Sequence, residues 1–245
     1  MAITAATADA EQQATLKPGL PNLHHLNLTS VKHSQSQRIL WLLEELNVEY
    51  NHVAYTRVQG RAPPELAKIH PLGKSPTFVN KDGRVIIESS VIISYIIDTY
   101  DTSHKFAVVD QIRSDEISAF ASATLAPVTS TEILFELIHK NTPWPFSYIT
   151  GALRSKIQNL FSMGELRKGL RYLESELGEE WFNGGHPGKS DFMVTFPVDL
   201  IAERGWIDLG KEFPKLAAWR GRVRERPAWK RGVEKGNGYE LKKLG

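Results

Sequence analysis

Two short stretches carry the side chains best suited to hold a ligand: Lys74-Ser75-Pro76 and, one hairpin later, Glu88-Ser89. Pro76 has no N–H to give to a ladder, so it belongs at a strand's first residue or in a tight turn. A cis bond is tolerated there, and we expect one at Ser75-Pro76. Ser75 is then left with main-chain groups to offer. Glu88-Ser89-Ser90 opens a helix running to Tyr100. The unpaired N–H groups and positive end of a helix start hold a carboxylate, and Glu88 suits an ammonium group. Carboxylate and ammonium together describe the end of an amino acid, with peptide hydrogen bonds available beside it at Ser75. The ligand implied is a small peptide. Alone, Glu88-Ser89 reads as an ordinary helix start; its pairing with Ser75-Pro76 makes it a candidate site.

The elements that position these residues follow from periodicity. Leu23 to Leu28 reads as a short strand, Thr29 to Gln37 as a polar loop and Arg38 to Leu46 as a helix with a broad apolar face. Glu49 to Tyr55 reads as a second strand, and Ala62-Pro63-Pro64-Glu65-Leu66 starts a second helix with prolines in its first turn. Phe78-Val79, a turn at Lys81-Asp82-Gly83-Arg84, and Val85-Ile86-Ile87 form the hairpin. This order predicts an α/β domain with a four-stranded mixed sheet in a split βαβ-ββα layout. Beyond Asp101 only helical patterns follow. They are Ile112 to His139 with a kink at Pro127, Tyr148 to Leu177 with a possible break at Gly164, Ser190 to Arg204, and Phe213 to Arg226. We therefore expect a disordered tail over 1–20, the α/β domain over 21–101, a linker over 102–110 and an all-α bundle over 111–245.

Composition narrows the function. With 30 Lys and Arg against 28 Asp and Glu, the net charge of +2 gives no reason to expect nucleic acid or a membrane surface. The cluster Arg220, Arg222, Arg224, Arg226, Lys230 and Arg231 lacks the aromatic interleaving of a nucleic-acid module and reads as a solvated helix face. The absence of cysteine excludes disulfides, thiolate metal sites and any mechanism using the protein's own thiol. The eight histidines show no i, i+4 metal spacing, so no metal is expected. Apolar runs such as Val91 to Ile97, interrupted by Ser94, are too short to span a bilayer. The first twenty residues lack both a signal core and transit-peptide arginines, so we expect a cytoplasmic protein.

The stretches His33-Ser34 through Arg38-Ile39-Leu40-Trp41-Leu42-Leu43, Arg61-Ala62-Pro63-Pro64-Glu65-Leu66 and Ile69-His70-Pro71-Leu72-Gly73-Lys74-Ser75-Pro76 resemble the cytosolic glutathione transferases, in particular the yeast-type enzymes of fungi. The similarity covers nearly the whole chain from Asn22. In the second half it rests on Ser190-Asp191-Phe192 and Arg226-Pro227-Ala228-Trp229. One departure is visible. The family usually places Ser or Thr where Gly188 stands, three residues before Asp191, so half a capping box is missing, at an expected slight cost in stability.

The resemblance implies a thioredoxin-like domain followed by a helical bundle, with glutathione as co-substrate, no metal, and a homodimeric enzyme. It implies that Glu88 and Ser89 hold the γ-glutamyl end, that Ser75 pairs with the cysteinyl backbone, that Lys74 reaches a carboxylate, and that Arg61 assists. Small hydrophobic electrophiles or hydroperoxides would be the second substrates, in a groove to which Phe135, Ile138, Trp144 and Tyr148 would contribute. A thiol with a pKa of about 8.5 is little ionised at neutral pH, so the work is to stabilise its thiolate. No tyrosine precedes Tyr50 to do so. Counting back from Arg38 in the family's serine spacing gives Ser34 or His33; Ser34 has the right hydroxyl, His33 could donate through its ring, and Gln35 falls where an asparagine serves in a related subgroup. A different class stays open: a non-catalytic regulatory or ligand-carrying relative would keep Pro76, Glu88 and Ser89 without activating the thiol.

Overall fold

The computed structural model describes residues 16–27, 35–56 and 62–242, which fall into two units. The first comprises residues up to Lys105 together with Arg224–Lys243; the second runs from Phe106 to Val223.

In the first unit the strands are β1 (Asn22–Asn27), β2 (Asn51–Thr56), β3 (Thr77–Val79) and β4 (Val85–Ile86), in spatial order β2-β1-β3-β4. β1 runs parallel to β2 and antiparallel to β3, and β3 pairs antiparallel with β4, so the sheet is mixed as expected. The helices are α1 (Gln37–Glu45), α2 (Pro64–Ile69) and α3 (Ser89–Tyr100). Leu23, Phe78, Leu40, Ile92 and Ile96 are fully enclosed between sheet and helices. The β3–β4 turn is tied by Asn80, whose Oδ1 accepts from the N–H groups of Asp82 (3.0 Å) and Arg84 (2.8 Å) while its Nδ2 donates to the Tyr95 hydroxyl on α3 (3.0 Å). That anchor fixes where α3 begins.

Three expectations for this unit need correction. Residues 16–20 are not a loose tail. The Asn51 amide at the edge of β2 clasps Lys17 through both its N–H and its C=O, each at 2.9 Å, and Leu16 packs on Leu26, Val53, Tyr55 and Leu66. The bundle does not own the chain's end either, because α11 (Pro227–Lys235) packs on α1. Gly232 and Gly236 bring the backbones close, since a Cβ on Gly236 would stand 2.9 Å from Leu40 Cδ1. Nor is the arginine cluster a solvated face. Arg226 and Lys105 (2.6 Å) both grip the buried carboxylate of Glu45, which also accepts from the Trp41 indole at 2.9 Å. Arg231 (3.1 Å), Lys235 (2.5 Å) and the Tyr50 hydroxyl (2.9 Å) converge on the equally buried Glu44. Burial pushes the Glu45 carboxyl up, but the Arg226, Lys105 and Trp41 donors outweigh it and hold it down at about 2.

The second unit is helical: α4 (Gln111–Ala119), α5 (Ala126–Asn141), α6 (Ser147–Ile157), α7 (Met163–Glu176), α8 (Lys189–Glu203), α9 (Leu209–Glu212) and α10 (Pro214–Glu225). The expected kink at Pro127 is instead a π-helical stretch, Phe120–Leu125, that places Pro127 in the first turn of α5, where a missing N–H costs nothing. A second such stretch, Gln158–Ser162, joins α6 to α7; it, and not Gly164, makes the interruption. Arg220 of α10 is also turned inward, to Asp199 and Glu203 of α8, both at 2.5 Å.

The half-missing capping box at the start of α8 is filled differently. Asp191 Oδ2 accepts from the Gly188 N–H (2.9 Å), and Oδ1 from Phe182 N–H (3.0 Å) and the Trp219 indole (2.9 Å). Burial nonetheless pushes the Asp191 carboxyl up to about 6. Where a serine Cβ would stand at 188, Asn183 already lies 2.7 Å away, held by Ala107 C=O (2.9 Å) and Val109 N–H (3.2 Å).

Candidate ligand site on the sheet edge

Strand pairing places Ser75 beside the end of β1. In the β1–β3 pairing His24 faces Thr77, so the same register would set Leu26 opposite Ser75. The ladder stops short of that pair. Pro76 intervenes, the Ser75-Pro76 bond is cis as expected, and the Leu26 N–H is satisfied by the Ser75 hydroxyl at 3.0 Å instead of its carbonyl. Among the described residues the Ser75 main-chain N–H and C=O therefore have no hydrogen-bond partner. They are the peptide-like groups the sequence pattern called for.

The β3–β4 register makes the second link. Phe78 faces Ile86 and Val79 faces Val85, so Ser75-Pro76 and Glu88-Ser89 both lie just beyond the same end of this short pairing. Ser89 begins α3, a twelve-residue helix whose first-turn N–H groups carry its positive end. Glu88 sits just outside it with φ 65° and ψ 119°, a backbone conformation that side-chain-bearing residues rarely adopt. Its carboxylate is exposed and enters no ion pair among the described residues. Lys74 is exposed beside Ser75, its carbonyl engaged by the Thr77 hydroxyl at 2.8 Å. A cleft of about 650 Å³ adjoins, lined by Leu26, Ala62, Pro63, Gly73, Lys74 and Ser75 among others. That volume suits a small organic ligand.

The sequence reading missed Ser36. This fully buried residue precedes α1, and its hydroxyl caps no helix N–H but meets the Ser75 hydroxyl at 3.1 Å, tying the start of α1 to the site. A serine directly before an apolar helix run was the available signal; its partner, 39 residues away, was visible only through the sheet. Ser34, His33 and Arg61 lie outside the described residues.

Comparison with known proteins meets this geometry. The model of the glutathione S-transferase N-terminal domain matches residues 27–98, a span holding every site residue named above except Leu26. Glutathione S-transferase 1 of Saccharomyces cerevisiae is 32% identical over 199 residues, covering 76% of this chain and 85% of that protein. The chain belongs to the glutathione S-transferase family. Glutathione S-transferase 3 of Schizosaccharomyces pombe is 34% identical over 217 residues, with 87% and 86% coverage. Among solved structures, a glutathione S-transferase from Actinobacillus pleuropneumoniae is 26% identical with a TM-score of 0.67, covering 92% of this chain and 97% of that one. A glutathione transferase from Phanerochaete chrysosporium, crystallised with oxidised glutathione, shares the fold at a TM-score of 0.70 and 24% identity, covering 89% and 95%. The α/β domain with a four-stranded mixed sheet followed by helices is thus the glutathione S-transferase fold.

Proposed function

We propose that the chain binds glutathione along Lys74-Ser75-Pro76 and Glu88-Ser89 and activates its thiol for attack on small hydrophobic electrophiles, with glutathione-dependent reduction of hydroperoxides as a related activity. The observation that carries this reading is the Ser75 main chain, without a hydrogen-bond partner among the described residues, at the end of the β3–β4 hairpin that leads into α3. Two antiparallel hydrogen bonds from Ser75 suit the cysteinyl residue. The α3 N-terminus with the Ser89 hydroxyl suits the γ-glutamyl carboxylate, Glu88 its ammonium group, and Lys74, with Arg61, a remaining carboxylate.

Thiol activation falls to Ser34 or His33, just before Ser36 and the start of α1. Lowering a thiol pKa by two units requires about 2.7 kcal/mol of preference for the thiolate, within reach of one or two donors and a helix end in a site closed to water. We also read the protein as cytoplasmic and as a homodimer; α3 and α4 each leave an apolar side chain in solvent, Val91 and Ile112, which supports the dimer. Sedimentation as a monomer at micromolar concentration would remove that part.

The test of the site is kinetic. Ser89→Ala raises KM for glutathione with little change in kcat, because the serine touches the peptide far from its sulfur. Ser34→Ala raises the pKa at which bound glutathione shows thiolate absorbance and slows turnover by roughly ten- to a thousand-fold. If only His33→Ala moves that pKa, the role passes to His33; if glutathione does not bind the wild-type chain, the whole reading fails.

A further inference from the structure

The hairpin formed by the end of α5, α6 and the π-helical stretch after it carries Trp144 and Tyr148, which the sequence assigns to the electrophile groove but which stand exposed. Helix α6 buries none of its side chains. The helix continues through the π-helical stretch into α7, and a helix on a protein normally packs its apolar face. Here that face is bare. Trp144, Phe146, Tyr148, Ile149, Leu153 and Leu160 are exposed, Trp144 at 77% and Tyr148 at 74%. They are held in place all the same. Pro143 and Pro145 restrict the turn around Trp144, and Gly151 lets α6 close on His139 of α5, where a Cβ would stand 3.0 Å from the imidazole.

Charge along the same stretch identifies what it faces. The chain has 28 acidic residues, yet none falls between Glu136 and Glu165, while Lys140, Arg154 and Lys156 do. Arg154 is tied back to Glu136 at 3.3 Å; Lys140, which has a partner of its own, and Lys156 are both exposed. The net charge of the whole chain, close to zero, conceals this local cationic and aromatic surface. A substrate groove is concave and encloses its ligand, which side chains this exposed do not. Self-association through this face by a two-fold axis would set an acid-free surface against itself, cation facing cation. Trp144 in the turn and Tyr148 at the start of α6, with Lys140 and Lys156 on the same hairpin, match the headgroup layer of an anionic bilayer, where the rings sit at the apolar boundary and the ammonium groups at the phosphates.

We propose that residues 140–161 form a docking surface for membranes rich in anionic lipid, binding peripherally and reversibly. The full-length protein would be sedimented with phosphatidylcholine vesicles with and without phosphatidylserine. It should pellet with the phosphatidylserine vesicles, remain in solution with phosphatidylcholine alone, and be released by salt. Trp144→Ser with Phe146→Ser, and separately Lys140→Glu with Lys156→Glu, should each weaken binding about tenfold or more while leaving glutathione binding intact. These side chains are exposed, so the fold should survive their replacement. Absence of binding to phosphatidylserine vesicles, equal binding to neutral ones, or wild-type binding by either variant overturns the proposal. So does a change from dimer to monomer in the Trp144→Ser, Phe146→Ser protein, which would show that a second copy covers the face.

Discussion

Glu88 combines an exposed carboxylate, proposed above to meet the ligand, with a strained backbone. At φ 65° and ψ 119° it occupies a region that glycine enters at little cost and other residues enter at about 1–3 kcal/mol. Glu88→Gly should therefore raise stability to urea by about 1 kcal/mol and weaken glutathione binding at the same time. A variant that loses stability would show that the side chain supports the fold and not the ligand. Gly188 poses the opposite problem, because its φ of −138° is open to any residue and the obstacle is the Asn183 side chain. Restoring a hydroxyl cap with Gly188→Ser is worth about 1 kcal/mol in open space, but the overlap with Asn183 should make the change destabilising by about 1–3 kcal/mol. Pairing it with Asn183→Ala should recover part of that loss. Denaturation of the single and double variants decides the point.

At the scale of elements, the sheet and its helices were legible because apolar periodicity and turn residues agree: Asp82-Gly83 makes the hairpin, and the run from Ile39 to Leu43 needs burial on every side. Of the candidate site, the hairpin that links Ser75-Pro76 to Glu88-Ser89 and the cis bond at Ser75-Pro76 were legible. Helix α11 was not legible. Its buried positions are Ala228, Trp229 and Gly232, small residues apart from the tryptophan, set among cations whose partners lie far away in sequence. Arg226 reaches Glu45 across 181 residues and Lys235 reaches Glu44 across 191. Ion pairs of that separation leave no local pattern. The contact has a measurable consequence: Arg226→Met strips Glu45 of one partner while its carboxylate stays buried, which should cost about 2–4 kcal/mol. Glu45→Gln in the same protein should restore part of the stability. An Arg226→Met protein as stable as the parent would mean that Lys105 alone suffices.

For the whole molecule, the buried ionisable groups set how the fold responds to acid. His24, beside the Tyr55 hydroxyl at 2.8 Å, and the hydrogen-bonded pair His25 and His52 hold adjacent strands β1 and β2. Burial lowers His24 to about 4 and, together with His52, lowers His25 to about 3; burial and Lys235 lower His52 to about 4. Each imidazole takes its proton more readily in the unfolded chain, so these groups leave stability intact above about pH 6.5 and erode it as pH falls toward 4. Glu45 extends the decline: held at about 2 against 4.5 when free, it contributes above the free value and loses that contribution as pH drops through the lower one. Asp191, raised to about 6, works in the other direction, since the folded state takes up its proton first and gains stability between about 6 and 3.8. Three histidines and Glu45 outnumber it. The urea midpoint should therefore fall steadily from pH 7 to pH 4, and His25→Gln with His52→Gln, which removes two of the three histidines, should flatten the upper part of that curve even if it lowers stability at pH 7. A midpoint unchanged across that range in the parent would mean that Asp191 offsets the others. A slope unaltered in the double variant would place the acid sensitivity in Glu45 and His24.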